Sequence, residues 1–92
     1  DVNLSTEIVK LTNIGSQAID LKGWKLISET GYQVFEFKQS TIIQPGDYLN
    51  ITSGRNSIEN EHNIKWTENY IWNNEGDRAL LIKPNNDVFL TN

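Results

Sequence analysis

The apolar segments of this chain are short, and their spacing limits the fold more than any other feature. Val9 and Leu11 alternate with Ile8, Lys10 and Thr12, while Phe35 and Phe37 share one face of a segment whose other face carries Glu36 and Lys38. Alternation with a period of two is the mark of a half-buried β-strand, and no stretch carries the 3.6-residue repeat of an amphipathic helix. Turn-forming residues separate the segments: Asn13 to Ser16, Glu29 to Gly31, Pro45 to Asp47, Asn73 to Asp77, and Pro84 to Asp87. Pro45 presets φ at the second position of a turn and Gly46 takes positive φ at the third, which is the recipe for a type II turn. These signals predict an all-β domain.

Strands are expected over residues 7–13, 19–28, 32–37, 48–52, 64–72, 78–82 and 88–90, with Val2 and Leu4 marking an earlier short one. Gly23 interrupts the second segment, so a bulge and a kink are expected just before Trp24. Leu21, Trp24 and Leu26 are its inward candidates. Residues 53–63 are polar apart from Ile58 and read as a long exposed loop. The sum is a β-sandwich of about seven to nine antiparallel strands.

With 92 residues, the chain has room for one domain, spanning 1–92. The absence of cysteine removes disulfides, thiol nucleophiles and thiolate metal ligands, and the absence of methionine suggests a piece of a longer protein. No apolar run approaches the roughly 20 residues a membrane helix needs, so membrane insertion is not expected. Eight Lys and Arg stand against twelve Asp and Glu, a net charge of −4 that argues against broad nucleic-acid binding.

The order of aromatic and turn signals resembles the lamin tail domain family. Glu7, Val9, Leu11, Asn13 and Gly15, then Ile19, Asp20, Leu21, Gly23, Trp24 and Leu26, follow its stretch E-x-V-x-L-x-N-x-G and I-D-L-x-G-W-x-L. The likeness continues through Phe35, Phe37 and Pro45-Gly46, then Lys65-Trp66, Ile71-Trp72, Gly76-Asp77 and Leu81. It implies an immunoglobulin-like sandwich that is an accessory module and not a catalyst. In bacteria such modules are joined to extracellular hydrolases and surface proteins, and the Asn- and Ile-rich composition suits a bacterial source.

Each chemistry-bearing residue also admits a structural role. His62, the single histidine, lies in the polar loop without an evident orienting carboxylate and reads as a surface residue. Asn73 to Asp77 could be a calcium loop but lacks the alternating acids of an EF-hand, and an Asn-rich turn explains it as well. No cofactor or metal is expected. Trp66 and Trp72 are an even number of residues apart and could share a strand face, either in the core or as an aromatic platform. Trp66, Tyr70 and Trp72 form the first candidate binding surface, with Arg55 and a lysine stripe of Lys10, Lys22, Lys25 and Lys38, of which the first three are the stripe's binding candidates, as a second.

The expected role is a non-enzymatic interaction or targeting module of a larger, exported bacterial protein, monomeric in isolation and recognising a protein partner or an attached catalytic domain. An adaptor that binds nucleic acid or carbohydrate for an attached hydrolase is the alternative.

Overall fold

The computed structural model describes residues 2–3, 7–72 and 76–91. Ten strand segments form: β1 (Val2–Asn3), β2 (Ile8–Thr12), β3 (Ile19–Asp20), β4 (Lys25–Ser28), β5 (Gln33–Glu36), β6 (Ile42–Ile43), β7 (Tyr48–Ser53), β8 (Asn63–Thr67), β9 (Ala79–Ile82) and β10 (Val88–Thr91). A first sheet has the order β1-β2-β7-β8, a second β10-β9-β4-β5, and a two-stranded ribbon pairs β3 with β6. Two four-stranded sheets over one core make the expected sandwich.

Alternation decides which side chains meet inside. Val9 and Leu11 of β2 stand opposite Ile51 and Leu49 of β7 in the first sheet, and Leu26 of β4 lies between Leu81 and Phe35 in the second. All but Phe35 are buried, and Phe35 packs against the same cluster half-buried. Leu21, Phe37, Ile43, Ile71, Trp72 and Ala79 complete this core cluster. Each such aliphatic side chain withdrawn from water contributes about 1.5–3 kcal/mol before entropy is counted.

Local turn chemistry fixes where strands begin. The N–H of Asp47 donates to the carbonyl of Gln44 at 3.0 Å across Pro45-Gly46, and Gly46 has φ +80, as a type II turn requires. Leu21 to Trp24 form another turn, with Trp24 N–H on the Leu21 carbonyl and Gly23 at φ +84. Gly23 N–H then donates to the Phe37 carbonyl while Phe37 N–H donates to the Trp24 carbonyl, so two residues oppose one. This is the expected bulge. It ends the 19–28 segment as one strand: β3 joins the ribbon and β4 the second sheet.

Two further pairings differ from the sequence reading. The β3–β6 ribbon was not expected, because Ile42–Ile43 is too short to show a period. The β7–β8 pair is parallel, unlike the antiparallel pairs elsewhere among the described strands. The exposed connection between them is tied down midway by Thr52, whose Oγ1 accepts from Ile58 N–H at 3.0 Å and donates to the Ile58 carbonyl at 2.9 Å. Leu4 of the expected first strand lies outside the described residues.

Candidate functional site

The sandwich is open along the side where the edge strands β5 and β8 end the two sheets. Between them runs a groove of about 720 Å³. Val34, Phe35 and Glu36 of β5 form one wall, while Ile64 and Trp66 of β8, with Glu59 from the preceding loop, form the other. The volume lies in the range of roughly 300–1,000 Å³ typical of ligand sites.

A run of rings connects the two walls to the core. Phe37 meets Phe35 edge-on at 5.0 Å, Phe35 meets Trp66 at 5.8 Å, and Trp66 meets Trp72 edge-on at 6.0 Å. The end members Phe37 and Trp72 are buried, whereas Phe35 and Trp66 keep part of their surface. Edge-to-face contacts of this kind add about 0.5–1.5 kcal/mol per pair beyond area burial and hold the exposed rings in one orientation. Trp66 is therefore a preformed, half-exposed aromatic surface on a strand. Trp72 follows β8 in sequence, not on the same strand, and its ring belongs to the core.

The other sequence candidates are dispersed. Tyr70 is exposed and its ring lies over Gly54, where an added Cβ would come within 3.0 Å of it. Arg55 follows the buried Gly54 and is exposed. Neither lines the groove. Lys10 lies on β2 of the first sheet and Lys25 on β4 of the second, while Lys22 sits in the turn before the bulge. They occupy no set of adjacent strands, so the envisaged stripe does not form across one sheet. Lys10 instead lies 4.8 Å over the Tyr48 ring, a cation–π contact.

His62 has more structure around it than its loop setting suggests. Its Nε2 is 3.2 Å from Asp47 Oδ1 and its ring stacks on Tyr48 at 4.7 Å. The absence of an orienting carboxylate in the sequence reading is corrected by Asp47, which arrives from the Pro45-Gly46 turn. The arrangement pins that turn to the start of β8.

Polar side chains missed as structural centres hold this framework. Glu7, with φ +61, is only 3% exposed, yet its carboxylate accepts from the N–H groups of Ile71 at 2.5 Å and Trp72 at 3.1 Å and from Ser53 Oγ at 3.0 Å. It thereby fixes the segment that carries Trp72 beneath Trp66. Charge in a sequence ordinarily signals exposure; the one hint was Glu7's place at the head of the matching pattern. Buried Asn13 donates from Nδ2 to the carbonyls of Gln17 and Ile43, both at 2.8 Å, and accepts from Gly15 N–H.

Two aspartates pin turns. Asp20 accepts from Ser40 Oγ, Thr41 N–H and Lys22 N–H, and these bonds, Ser40's foremost, hold its carboxyl below the usual range. Asp77 accepts from Ser28 Oγ and from the N–H groups of Thr30 and Arg78. Of the calcium-loop candidates, Asn73, Asn74 and Glu75 lie outside the described residues. Among the described residues, no group of three or more His, Asp or Glu is placed to hold a metal ion.

The family model of the lamin tail domain matches residues 1–91. No curated protein matches the chain.

Proposed function

Since the chain belongs to the lamin tail domain family, a family of non-catalytic immunoglobulin-like domains, we propose that it is an interaction and targeting module of a larger, exported bacterial protein. The observation that carries this reading is the groove between β5 and β8, where Phe35 and Trp66 present rigid aromatic surface on strands. Aromatic anchors held by a packed core are the usual energetic centres of protein interfaces. The Asn- and Ile-rich composition supports the bacterial assignment. Recognition requires no chemistry from the domain, whose buried polar groups Glu7 and Asn13 are engaged in holding its own backbone.

The test is made in the parent protein. Removing this domain, or introducing Trp66→Ser, should abolish association with the partner and retention at the cell surface while leaving any activity of the remaining domains intact. Undiminished association in both variants overturns the reading. The adaptor alternative draws on the same Trp66 surface for a carbohydrate; it predicts that a soluble glycan shifts the Trp66 indole resonance and that the parent hydrolase loses turnover on polymeric substrate alone.

A further inference from the structure

We propose that the groove receives an extended peptide segment of a protein partner, which adds to the second sheet as a strand alongside β5. This inference rests on the interaction-module reading and names the chemistry of the partner.

Hydrogen-bond parity identifies the groups that would bind. Just beyond the paired ends of the two strands, Phe37, which follows β5, bonds toward the β4 side through both its N–H, to the Trp24 carbonyl, and its carbonyl, from Gly23 N–H. In an antiparallel ladder the bonded pairs alternate. Phe35 and Gln33, opposite Leu26 and Ser28, therefore also bond toward β4, and the N–H and carbonyl groups of Val34 and Glu36 face the groove. A strand needs about 4.8 Å of lateral space and about 3.3 Å of length per residue, and the groove runs along this edge with ample volume.

Natural edges are normally blunted by proline, by a bulge or by a covering element. β5 carries no proline, its pairing with β4 runs in unbroken register from Gln33 to Glu36, and Val34 on it is 40% exposed. The wall facing it is not a covering strand but the half-exposed rings and aliphatics of β8.

The partner's pattern follows from the pleat. Side chains of an added strand that point inward would continue the row of Phe35 and meet Trp66 and Ile64, so these positions are apolar. Those pointing outward would lie beside Val34 and Glu36 in water, so they are polar. Charge sets the sign of one of them: among the groove-lining residues Glu36 and Glu59 stand on the two walls against Lys38, while Lys25, the cross-strand partner of Glu36 on β4, lies outside the lining. The segment thus alternates apolar and polar residues and carries a lysine or arginine among the polar ones. Strand addition with pockets for alternate side chains is an established mode of peptide recognition.

The experiment is a selection of displayed random peptides of about nine residues, roughly 30 Å when extended, against the folded domain. The predicted winners alternate, carry a cation, and shift the amide resonances of Val34 and Glu36 together with the Trp66 indole. Val34→Pro removes a donor that faces the groove and leaves the β4 ladder whole; it should weaken these peptides at least tenfold with a small change in melting temperature. Glu36→Gln, which removes the charge without setting a second cation against its cross-strand partner Lys25, should erase the selected preference for a cation. Winners without alternation, affinity unchanged by Val34→Pro, or no selected binder at all overturn strand addition. So does self-association of the domain through β5, or an indole shift produced by glycans and not by peptides. Peptides that instead map to the cleft lined by Trp24 and Phe89 overturn the β5 assignment but leave the interaction-module reading standing, whereas intact partner association in the Trp66→Ser parent overturns that reading itself.

Discussion

Glu7→Gln is expected to destabilise the domain out of proportion to the loss of a single charge. One carboxylate oxygen of Glu7 accepts from Ile71 N–H and Ser53 Oγ, and the other from Trp72 N–H. Glutamine keeps one acceptor and turns the second position into a donor. Whichever way the amide is rotated, a donor is set against a buried N–H of Ile71 or Trp72, and the side chain is too enclosed for water to mediate. Bonds to a charged acceptor are worth about 1.5–3 kcal/mol and a stranded buried donor costs about 1–3 kcal/mol. The net loss is therefore about 2–3 kcal/mol, or about 10–20 °C in melting temperature for a domain of this size. Urea unfolding followed by tryptophan fluorescence measures it, and hydrogen exchange at the Ile71 and Trp72 amides shows whether protection is lost there first. A variant within about 0.5 kcal/mol of the parent, the ordinary range for a surface substitution, would refute the assignment of Glu7 as the acceptor that fixes this segment.

Other perturbations probe the remaining framework. Asn13→Asp turns two donors toward the carbonyls of Gln17 and Ile43 into acceptors, and should cost about 3 kcal/mol in denaturant titration; a neutral result contradicts the role given to Asn13. Gly23→Ala places a Cβ at φ +84 and 3.2 Å from Pro84, for an expected loss of about 1–2 kcal/mol, and an unchanged melting temperature would argue against the bulge. Asp20 titrates below the ordinary aspartate value in the folded state because Ser40, Thr41 and Lys22 donate to it. The unfolded chain therefore takes up the proton first as pH falls, so this contribution is present above the ordinary aspartate range and fades as pH drops through the lowered folded value. Asp20→Asn should flatten that acid limb of the stability curve, and an identical pH dependence in both proteins would contradict it.

Features dictated by a few consecutive residues were legible in the sequence. The Phe35/Phe37 alternation, the Pro45-Gly46 turn and the Gly23 bulge all appear where the residue types require them, because their causes are local sterics and the pleat. What depended on distant partners was not legible. Parity assigns Lys10 and Lys25 to strands and faces, but only pairing decides that β2 and β4 belong to different sheets. Ile27, on the opposite face from Leu26, is nonetheless buried beside its cross-strand neighbours Val34 and Leu80. The even spacing of Trp66 and Trp72 was compatible with one strand face but did not require it; β8 ends at Thr67, and the two rings meet edge-on across a turn in the chain. The groove itself could not be foreseen, since it exists only where β5 and β8 end two different sheets.

The recognition face proposed for this domain is the groove, not the dispersed tyrosine, arginine and lysine positions. Nuclear Overhauser contacts between the domain and a bound partner segment test it most directly. Contacts are expected from partner methyl groups to the Trp66 and Phe35 rings, together with strand-to-strand backbone contacts at Val34 and Glu36. Contacts confined to Tyr70, Arg55 or the cleft beside Phe89, with Trp66 unperturbed, would contradict it.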